Sequence, residues 1–254
     1  MRRKATLYQL GFLIAFLGLW ETLSRGGFVD AEELPAFTNV AIMLWSLLGN
    51  VEFLGHCWDT LVRVVVAFAI GAPLAISVGF ILGEKLHLGE IINPVVHFLL
   101  AVPQSIFLPI FILLFGIGFM EKIVFGITHI VFVVIVNTVA AVASVPRSHV
   151  LAARSFGATP TQIYLRVYFP AMLPLLVTGL RLGMIFNIIG ILLAEMYASR
   201  TGVGQLIFQW GEDYQVTELM AGIVIVSIAT IAINELMRLW ETRAGHWLAT
   251  EQAA

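Results

Sequence analysis

Three long stretches of this chain contain no Asp, Glu, Lys or Arg: Val64 to Gly83, Pro94 to Met120, and Ile123 to Pro146. A helix needs about 20 apolar residues to cross the roughly 30 Å hydrocarbon core of a bilayer, and each stretch is long enough. The composition agrees, because 59% of the 254 residues are hydrophobic and only 12% are charged, against about 25% charged residues in soluble domains. The sequence therefore predicts an all-α integral membrane helical bundle.

Three less uniform stretches bring the predicted number of transmembrane helices to six. They are Ala5 to Trp20, Leu173 to Tyr197 and Leu219 to Leu239. The first has a basic start and a short apolar core, which also suits a signal peptide. We expect a retained helix, because the stretch runs directly into Glu21 without an Ala-x-Ala-like cleavage site and a multi-span protein needs a first anchor.

The positions of Lys and Arg predict the orientation, because short loops rich in these residues stay in the cytoplasm. With the N-terminus inside, six crossings leave only Arg25, Arg63, Lys122 and Arg200 on the outside. The other ten of the 14 basic residues then lie inside: Arg2, Arg3, Lys4, Lys85, Arg147, Arg154, Arg166, Arg181, Arg238 and Arg243. Both termini are therefore predicted to be cytoplasmic.

Two connections between the predicted spans are too long to be simple turns. The outer one, Ser24 to Asp59, carries an apolar stripe at helical spacing after Pro35. The stripe consists of Phe37, Val40, Ala41, Leu44, Trp45 and Leu48. It predicts an amphipathic helix, either lying on the membrane or packed on the protein.

The inner connection, Ser144 to Met172, has the residue types of a helix, a turn and a second helix. Ala152 and Ala153 favour a helix, and their small side chains let another surface approach closely. Gly157 permits a turn, and Thr159-Pro160 supplies an N-cap residue followed by Pro at the first helical position. Judged by these residues alone, the segment could also be a linker folded on the membrane surface.

This connection resembles the cytoplasmic EAA loop of bacterial ABC importer permeases, the inner-membrane components of binding-protein-dependent transport systems. That loop has the pattern Glu-Ala-Ala, three residues, Gly, nine residues, Ile-x-Leu-Pro. Here Ala152-Ala153 is followed after three residues by Gly157, and after nine more by Val167-Tyr168-Phe169-Pro170. Leu151 stands where the family usually has an acidic residue, which puts the ion pair made by that residue in doubt.

Further motifs resemble the nitrate/sulfonate/taurine branch of this family, over roughly Leu34 to Arg243. They are Thr60-Leu61-Val62-Arg63, Val102-Pro103-Gln104-Ser105 with Leu108-Pro109, Phe115-Gly116-Ile117-Gly118, Thr178-Gly179-Leu180-Arg181, Ala194-Glu195-Met196 and Thr201-Gly202-Val203-Gly204. The resemblance implies the MetI-like fold of a type I ABC importer permease, with a permease domain at 59–243 that contains the EAA loop at 144–172. A transmembrane helix and an external amphipathic helix precede it at 1–58, and a cytoplasmic tail follows at 244–254.

The resemblance also implies partners. In the family the EAA loop forms a coupling helix that docks on a separate ATP-binding subunit. The implied ATPase-coupling residues are Leu151, Ala152, Ala153, Arg154, Ser155, Gly157, Ala158 and Thr159. Two copies of that subunit would bind ATP and Mg²⁺, a periplasmic or extracellular solute-binding protein would deliver the solute, and the permease would form a homodimer in the inner membrane. The implied substrate is a sulfonate, taurine, nitrate or a heterocycle such as a thiamine precursor.

Polar residues inside apolar spans are the candidates for the translocation pathway, because a polar group facing lipid is costly. Gln104 and Ser105 come first, since Pro103 and Pro109 flank them and can break the helix. Asn137, Asn187 and Glu195 complete the set. Each asparagine also suits a hydrogen bond between helices, and the glutamate suits a capping or pairing role near the outer interface.

Several other functions are not supported by the sequence. No GxxxxGK[ST] phosphate-binding loop occurs, so the chain is not expected to hydrolyse ATP or to bind a cofactor itself. The six histidines lack metal-binding spacing, and His97 and His129 are expected to be structural. A net charge of −2 argues against nucleic acid. An intramembrane enzyme would need a GxSxG or metal motif, which is absent.

An ion-gradient-driven secondary transporter is the alternative function. The lack of charge in the middle of the second to fourth spans weakens it, because such transporters place ionisable residues there.

Overall fold

A computed structural model of the chain describes residues 2–30 and 32–245, with side chains for 7–30, 32–85 and 87–242. Within these ranges all regular structure is helical. The helices are α1 (Arg2–Arg25), α2 (Phe37–Leu48), α3 (Val51–Glu84), α4 (Leu86–Ala101), a 3₁₀ turn (Gln104–Phe107), α5 (Leu108–Phe115), α6 (Phe119–Ala143), α7 (Arg147–Ser155), α8 (Pro160–Ile163), a π turn (Tyr164–Tyr168), α9 (Phe169–Ala198), α10 (Val203–Glu212) and α11 (Val216–Gly245). Most of the predicted tail, 244–254, lies outside the described residues.

The longest helices account for six passages through a bilayer. Five helices are long and apolar enough to cross it: α1, α3, α6, the continuous helix Pro160–Ala198, and α11. A bent pair, α4 with the helix Gln104–Phe115, is apolar and long enough to count as the sixth passage when taken as one span, and its two axes differ in direction by 82°. The predicted all-helical, six-span architecture is therefore confirmed.

The second span starts earlier than the sequence predicts. α3 begins at Val51 rather than at Val64, because Asn50 caps it there. The Asn50 side chain accepts hydrogen bonds from the N–H groups of Glu52 (2.8 Å) and Phe53 (3.2 Å). Arg63 bounds the apolar run in the sequence, but the helix continues through it.

The fifth span also starts earlier, at Pro160 rather than at Leu173, and so includes the second half of the predicted loop. Pro170 has no N–H to donate to the preceding turn, and the helix accommodates this through the π turn, in which the Phe169 N–H donates to the Tyr164 carbonyl. α10, between the last two spans, is missing from the sequence prediction because it is short and amphipathic rather than uniformly apolar.

Helices α3, α6 and α9 form the centre of the bundle. The buried face of α3 has small residues at every fourth position: Ala67, Gly71, Ala75 and Gly79. A Cβ added to Gly79 would lie 2.7 Å from the Thr138 Cβ and 2.9 Å from the Ile135 carbonyl oxygen, so α3 and α6 are in close backbone contact. Small residues permit such contacts between membrane helices.

Glycines of α9 make equally close contacts with the other side of α6. A Cβ on Gly183 would lie 2.6 Å from Val134 Cγ2, and one on Gly190 would lie 2.8 Å from the His129 ring. Gly71, Gly79, Gly183 and Gly190 are therefore all positions of close contact between helices.

The amphipathic helix α2 packs on α11 and on the start of α3. Val40 and Leu47 are buried in a cluster that includes Phe53 and Ala221, whereas Trp45 is 74% exposed. The apolar stripe left open whether this helix lies on the membrane or packs on the protein, and the structure shows that it packs on the protein.

The first span, α1, is the least packed, with only 6% of its most apolar window buried. Its links to later residues within the described ranges lie near its C-terminus. There Trp20 Nε1 donates a hydrogen bond to the Pro35 carbonyl (3.0 Å), and Glu21 accepts one from the Thr38 hydroxyl (2.9 Å).

The variant Gly79→Ala tests the close contact between α3 and α6. Ala is the better helix former by about 1 kcal/mol, but the added Cβ would meet a backbone oxygen at 2.9 Å, which cannot move as easily as a side chain. We expect a lower thermal midpoint in detergent and a destabilisation of about 1–3 kcal/mol. Gly55→Ala, on the same helix, is the control, because no atom lies within 4 Å of its added Cβ. Equal midpoints for the two variants would contradict the contact.

Candidate functional site

One end of the bundle, here named the loop end, carries residues 144–159, which connect α6 to the fifth span. At the end of α7, the Gly157 N–H donates to the Arg154 carbonyl (2.9 Å) and the Ala158 N–H donates to the Ala153 carbonyl (3.0 Å). This Schellman pattern needs a residue in the left-handed conformation, which Gly157 supplies with φ +75°. The turn predicted at Gly157 is confirmed.

The next helix starts immediately after this cap. The Thr159 hydroxyl accepts a hydrogen bond from the Gln162 N–H (3.4 Å), and the Gln162 side chain accepts one from the Thr159 N–H (2.8 Å). With Pro160 in the first turn, this capping box defines where the helix begins. The predicted cap is present, and α7 is therefore held in a defined position relative to the fifth span.

The predicted coupling residues divide into exposed and packed side chains. The exposed ones are Leu151, Ala152, Arg154, Ser155, Gly157 and Thr159, and the half-buried ones are Ala153 and Ala158. The two half-buried alanines pack on a cluster that includes Val150 and Ile163. Phe156, which the sequence analysis missed, is 92% exposed beside the turn, and Leu151 is 61% exposed. An aromatic residue next to a turn glycine in a water-facing loop is the signal that could have identified it.

A second contact connects the loop end to α3. The Tyr164 hydroxyl donates a hydrogen bond to the carboxylate of Glu84, the last residue of α3. The rings of Tyr164 and Tyr168 both pack edge-on against Phe80, at centroid distances of 5.7 and 6.0 Å. Glu84, Arg154 and the two tyrosines line a cavity of about 180 Å³. The start of the fifth span is therefore in direct contact with the end of α3.

The third apolar run is broken at Val102-Pro103. Pro103 has no N–H, so the Leu99 carbonyl loses its helical donor, and the chain changes direction by 82° before the next helix. Pro109 lies in the first turn of α5, where a helix tolerates it. Of the two prolines that could break the helix, the first does so.

The break borders a cavity of about 260 Å³ that contains three polar side chains, Gln104, Ser105 and His129. Its other lining residues are apolar: Leu100, Ala101, Val102, Pro103, Val133, Phe186, Ile189 and Leu193. Gln104 Oε1 is buried and has no hydrogen-bond partner. The structure thus brings the two first-ranked pathway residues together with a histidine that the sequence analysis expected to be structural.

Glu195 lies at the opposite end of the bundle, here named the ion-pair end, and is fully buried. It accepts hydrogen bonds from Arg63 (2.5 Å), the Thr60 hydroxyl (2.8 Å) and the Gly204 N–H (3.0 Å). Arg63 also donates to the carbonyl (2.8 Å) and hydroxyl (2.6 Å) of Thr201. The structure shows both structural roles considered for Glu195, because the carboxylate pairs with Arg63 and also caps the first turn of α10 through the Gly204 N–H.

A second buried cation closes the same end. Lys122 is 1% exposed, and its Nζ donates to the Ala198 carbonyl (2.5 Å) at the end of α9 and to Glu121 (3.0 Å). Carbonyls at a helix C-terminus lack helical donors, so Lys122 caps α9. The distribution of Lys and Arg predicts that Arg63 and Lys122 lie on the outer side of the membrane. In the structure both side chains are buried within the bundle, where Arg63 links α3 to α9 and Lys122 links α6 to α9.

The two asparagines serve packing between and within helices. Asn187 is fully buried, and its Nδ2 donates to the Val64 carbonyl of α3 (2.8 Å). Asn137 Nδ2 donates to the Val133 carbonyl within α6 (2.8 Å), and its Cβ faces Gly179. Neither asparagine is among the residues that line the cavity at the break.

Known proteins share this sequence pattern. Residues 71–244 match the family model described as binding-protein-dependent transport system inner membrane component. The chain is 27% identical to the putative aliphatic sulfonates transport permease protein SsuC of Bacillus subtilis (strain 168), over 96% of this chain and 90% of that protein. It is also 27% identical to the taurine transport system permease protein TauC of Escherichia coli (strain K12), over 97% and 91% of the two chains.

A solved structure shares the fold. A chain of the MetNI methionine ABC transporter in an inward-facing conformation superimposes with a TM-score of 0.67 at 23% identity, covering 80% of this chain and 97% of that chain. The MetI-like arrangement of helices expected from the sequence is therefore confirmed.

Removing the buried carboxylate at the ion-pair end should be costly. Glu195→Ala removes the buried carboxylate that pairs with Arg63 and leaves only the partly exposed Asp59 carboxylate at 3.7 Å, and we expect a loss of about 3–5 kcal/mol in unfolding free energy. The double variant Arg63→Leu/Glu195→Leu should recover part of this loss, because the charge that it leaves unpaired, Asp59, is partly exposed to solvent. Equilibrium unfolding in mixed micelles measures both.

Glu235→Ala is the matched control for that series. Its pair with Arg238 is exposed, so its removal should change the unfolding free energy by less than about 1 kcal/mol. If Glu195→Ala were no more destabilising than this control, the buried pair would not hold the bundle together.

Proposed function

Because the chain belongs to the family of inner-membrane components of binding-protein-dependent transport systems, we propose that separate ATPase subunits drive it by docking on the loop end. The chain is an ABC importer permease subunit, and ATP hydrolysis is carried out by a different polypeptide. One observation carries the docking proposal. The loop is fixed by two helix caps and presents two exposed apolar side chains, Leu151 and Phe156, to the surroundings.

Docking on this loop would rest on shape and apolar contact. Exposed apolar groups mark interaction surfaces when they lie together on a soluble face. Leu151 stands where relatives usually have an acidic residue, and an exposed ion pair contributes only about 0–1 kcal/mol. An apolar contact from Leu151 and Phe156 would compensate for that missing pair. We assign the coupling role to Leu151, Ala152, Ala153, Arg154, Ser155, Gly157, Ala158 and Thr159, and we add Phe156.

The complete importer would contain further chains. We propose two ATP-binding subunits, which hold ATP and Mg²⁺, a solute-binding protein on the outer side, and a second copy of this permease related by a two-fold axis. The chain is a multi-pass inner-membrane protein, and we propose that both termini face the cytoplasm. Residues 59–243 would form the permease domain, in keeping with the family match at 71–244.

The pathway would pass the broken helix. Gln104 and Ser105 line the cavity at the break, where irregular backbone within a membrane is tolerated. Asn137, Asn187 and Glu195 are instead engaged in helix packing and ion pairing, and we no longer assign them to the pathway. The solute would be small and polar or anionic, like the sulfonates, taurine and nitrate named for the relatives.

Reconstitution tests this function directly. The permease is inserted into liposomes with its ATPase and binding protein, and uptake of radiolabelled sulfonates, taurine, nitrate and aminopyrimidines is followed. We expect uptake that requires internal ATP and the binding protein. Uptake driven by a proton or sodium gradient without ATP or partners would instead establish the secondary-transporter alternative.

Gly157→Trp should uncouple the importer. A large side chain at φ +75° strains the turn and fills the tip that would enter the ATPase. Membrane insertion should be unchanged, while uptake falls about tenfold or more, equivalent to about 1.4 kcal/mol of coupling. Gly27→Trp is the control, because Gly27 also has positive φ (+70°) and open surroundings but lies between α1 and α2. Full ATP-driven uptake by Gly157→Trp would show that the docking element lies elsewhere.

Tyr164→Phe should weaken the link between the loop and α3. The variant removes only the hydroxyl that donates to Glu84, so the ring packing on Phe80 stays intact. We expect fewer solute molecules transported per ATP hydrolysed, at an unchanged thermal midpoint. Tyr168→Phe is matched in size and packs on the same ring without that bond, and it should behave as wild type. Identical transport-to-ATPase ratios for both variants would contradict a coupling role for the Tyr164–Glu84 bond.

A further inference from the structure

The cavity at the broken helix contains hydrogen-bond acceptors for which the protein supplies no donor. His129 is 7% exposed, and its Nδ1 lies 3.0 Å from the Phe125 carbonyl oxygen. A carbonyl oxygen can only accept, so the ring hydrogen is on Nδ1. No carboxylate is among the lining residues to hold a second proton on the ring, which leaves Nε2 as an acceptor.

The acceptor edge of His129 is the edge that can face the cavity. Gly190 approaches the Cγ and Nδ1 atoms so closely that an added Cβ would lie 2.8 Å from both. The Phe125 ring also packs on the imidazole, at a centroid distance of 4.6 Å. The Nδ1 side is therefore occupied by protein. Since His129 lines the cavity, the edge of its ring that is left for a ligand is the one that carries Nε2.

One further acceptor lies in the same cavity. Gln104 lines it, and its Oε1 is buried without a hydrogen-bond partner. An acceptor that is buried and unpaired costs about 1–3 kcal/mol, so a ligand that supplies an N–H group there is favoured.

The cavity offers little to an oxyanion. None of its lining residues is Lys or Arg, and none is Asp or Glu. Recognition of sulfonate or nitrate oxygens relies on donors, most strongly on cationic ones. The donors present, the Gln104 amide and the Ser105 hydroxyl, are neutral, and Phe186 adds an aromatic surface.

We propose that this cavity binds the transported solute through N–H groups of that solute, so that the importer takes an amino-bearing compound rather than a donor-free oxyanion. The amine would donate to His129 Nε2 and Gln104 Oε1, and the apolar or aromatic part of the solute would lie against Phe186. A volume of about 260 Å³ restricts the ligand to a small molecule. This inference rests on the proposed function and narrows its substrate class.

Matched pairs of probes separate the two classes of ligand. One pair is 4-aminopyrimidine with 4-methylpyrimidine, and the other is taurine with ethanesulfonate. In the first pair a methyl group replaces the amino group without a change of charge. In the second pair hydrogen replaces it and the net charge also changes, because the taurine amine is protonated, so the first pair isolates the N–H donors. Binding to the complete permease–ATPase complex in nanodiscs is measured by saturation-transfer difference NMR. We expect that, in at least one pair, the amino compound binds about tenfold more tightly or better.

Variants of the lining residues assign the site. Gln104→Leu and His129→Phe should each reduce the preference for the amino compound to about threefold or less, because each removes one acceptor. His97→Phe is the control, since His97 makes the same type of bond to the Asn93 carbonyl (2.7 Å) but lies outside this cavity. Gln104 is only partly buried, so Gln104→Leu remains informative if His129→Phe fails to fold.

The outcomes are distinguishable. Three results would overturn the proposal. The donor-free probes could bind as tightly as the amino compounds or more tightly, neither amino compound could bind at millimolar concentration, or binding could be insensitive to Gln104→Leu. If the amino compounds bind as expected but no ATP-driven uptake is found, the proposed function fails while the ligand site stands. If uptake is driven by ATP but the donor-free anions are preferred, the proposed function stands and this inference fails.

Discussion

In the interior of a membrane protein, a buried charge is stable only when a partner and hydrogen bonds replace the water that it has lost. Arg63 and Glu195 satisfy this requirement between α3 and α9, and Lys122 satisfies it between α6 and the end of α9. These bonds require the three helices to touch. Small residues such as Gly79 let the helices approach each other closely. They are therefore required for the ion pairs to form as well as for the apolar packing.

The two ends of the bundle are held by different chemistry. At the ion-pair end, several charge-assisted hydrogen bonds fix α3, α6 and α9 together. At the loop end, α3 meets the fifth span through aromatic rings and the single bond between Tyr164 and Glu84. The charge-assisted contacts that join α3, α6 and α9 to one another are therefore concentrated at the ion-pair end.

The sequence predicts the number of spans and the caps of the loop well, because apolar runs and capping residues act locally. The prediction fails where the structural role of a residue depends on a contact with a residue far away in the sequence. Arg63 ends an apolar run in the sequence, yet Glu195 neutralises it inside a continuous helix. Pro170 suggests a boundary, yet the π turn carries the helix past it. His129 gains a potential role only because the break at Pro103 brings Gln104 beside it, and no spacing in the sequence encodes that proximity.

The poor packing of α1 has a consequence for how freely its sequence can vary. Only 6% of the most apolar window of α1 is buried by other residues of this chain, and we expect lipid to surround most of the helix. Lipid distinguishes apolar from polar residues but not one apolar shape from another. Selection on this helix should therefore preserve its length and hydropathy while individual residues drift, except around Trp20 and Glu21, whose bonds to Pro35 and Thr38 depend on particular atoms.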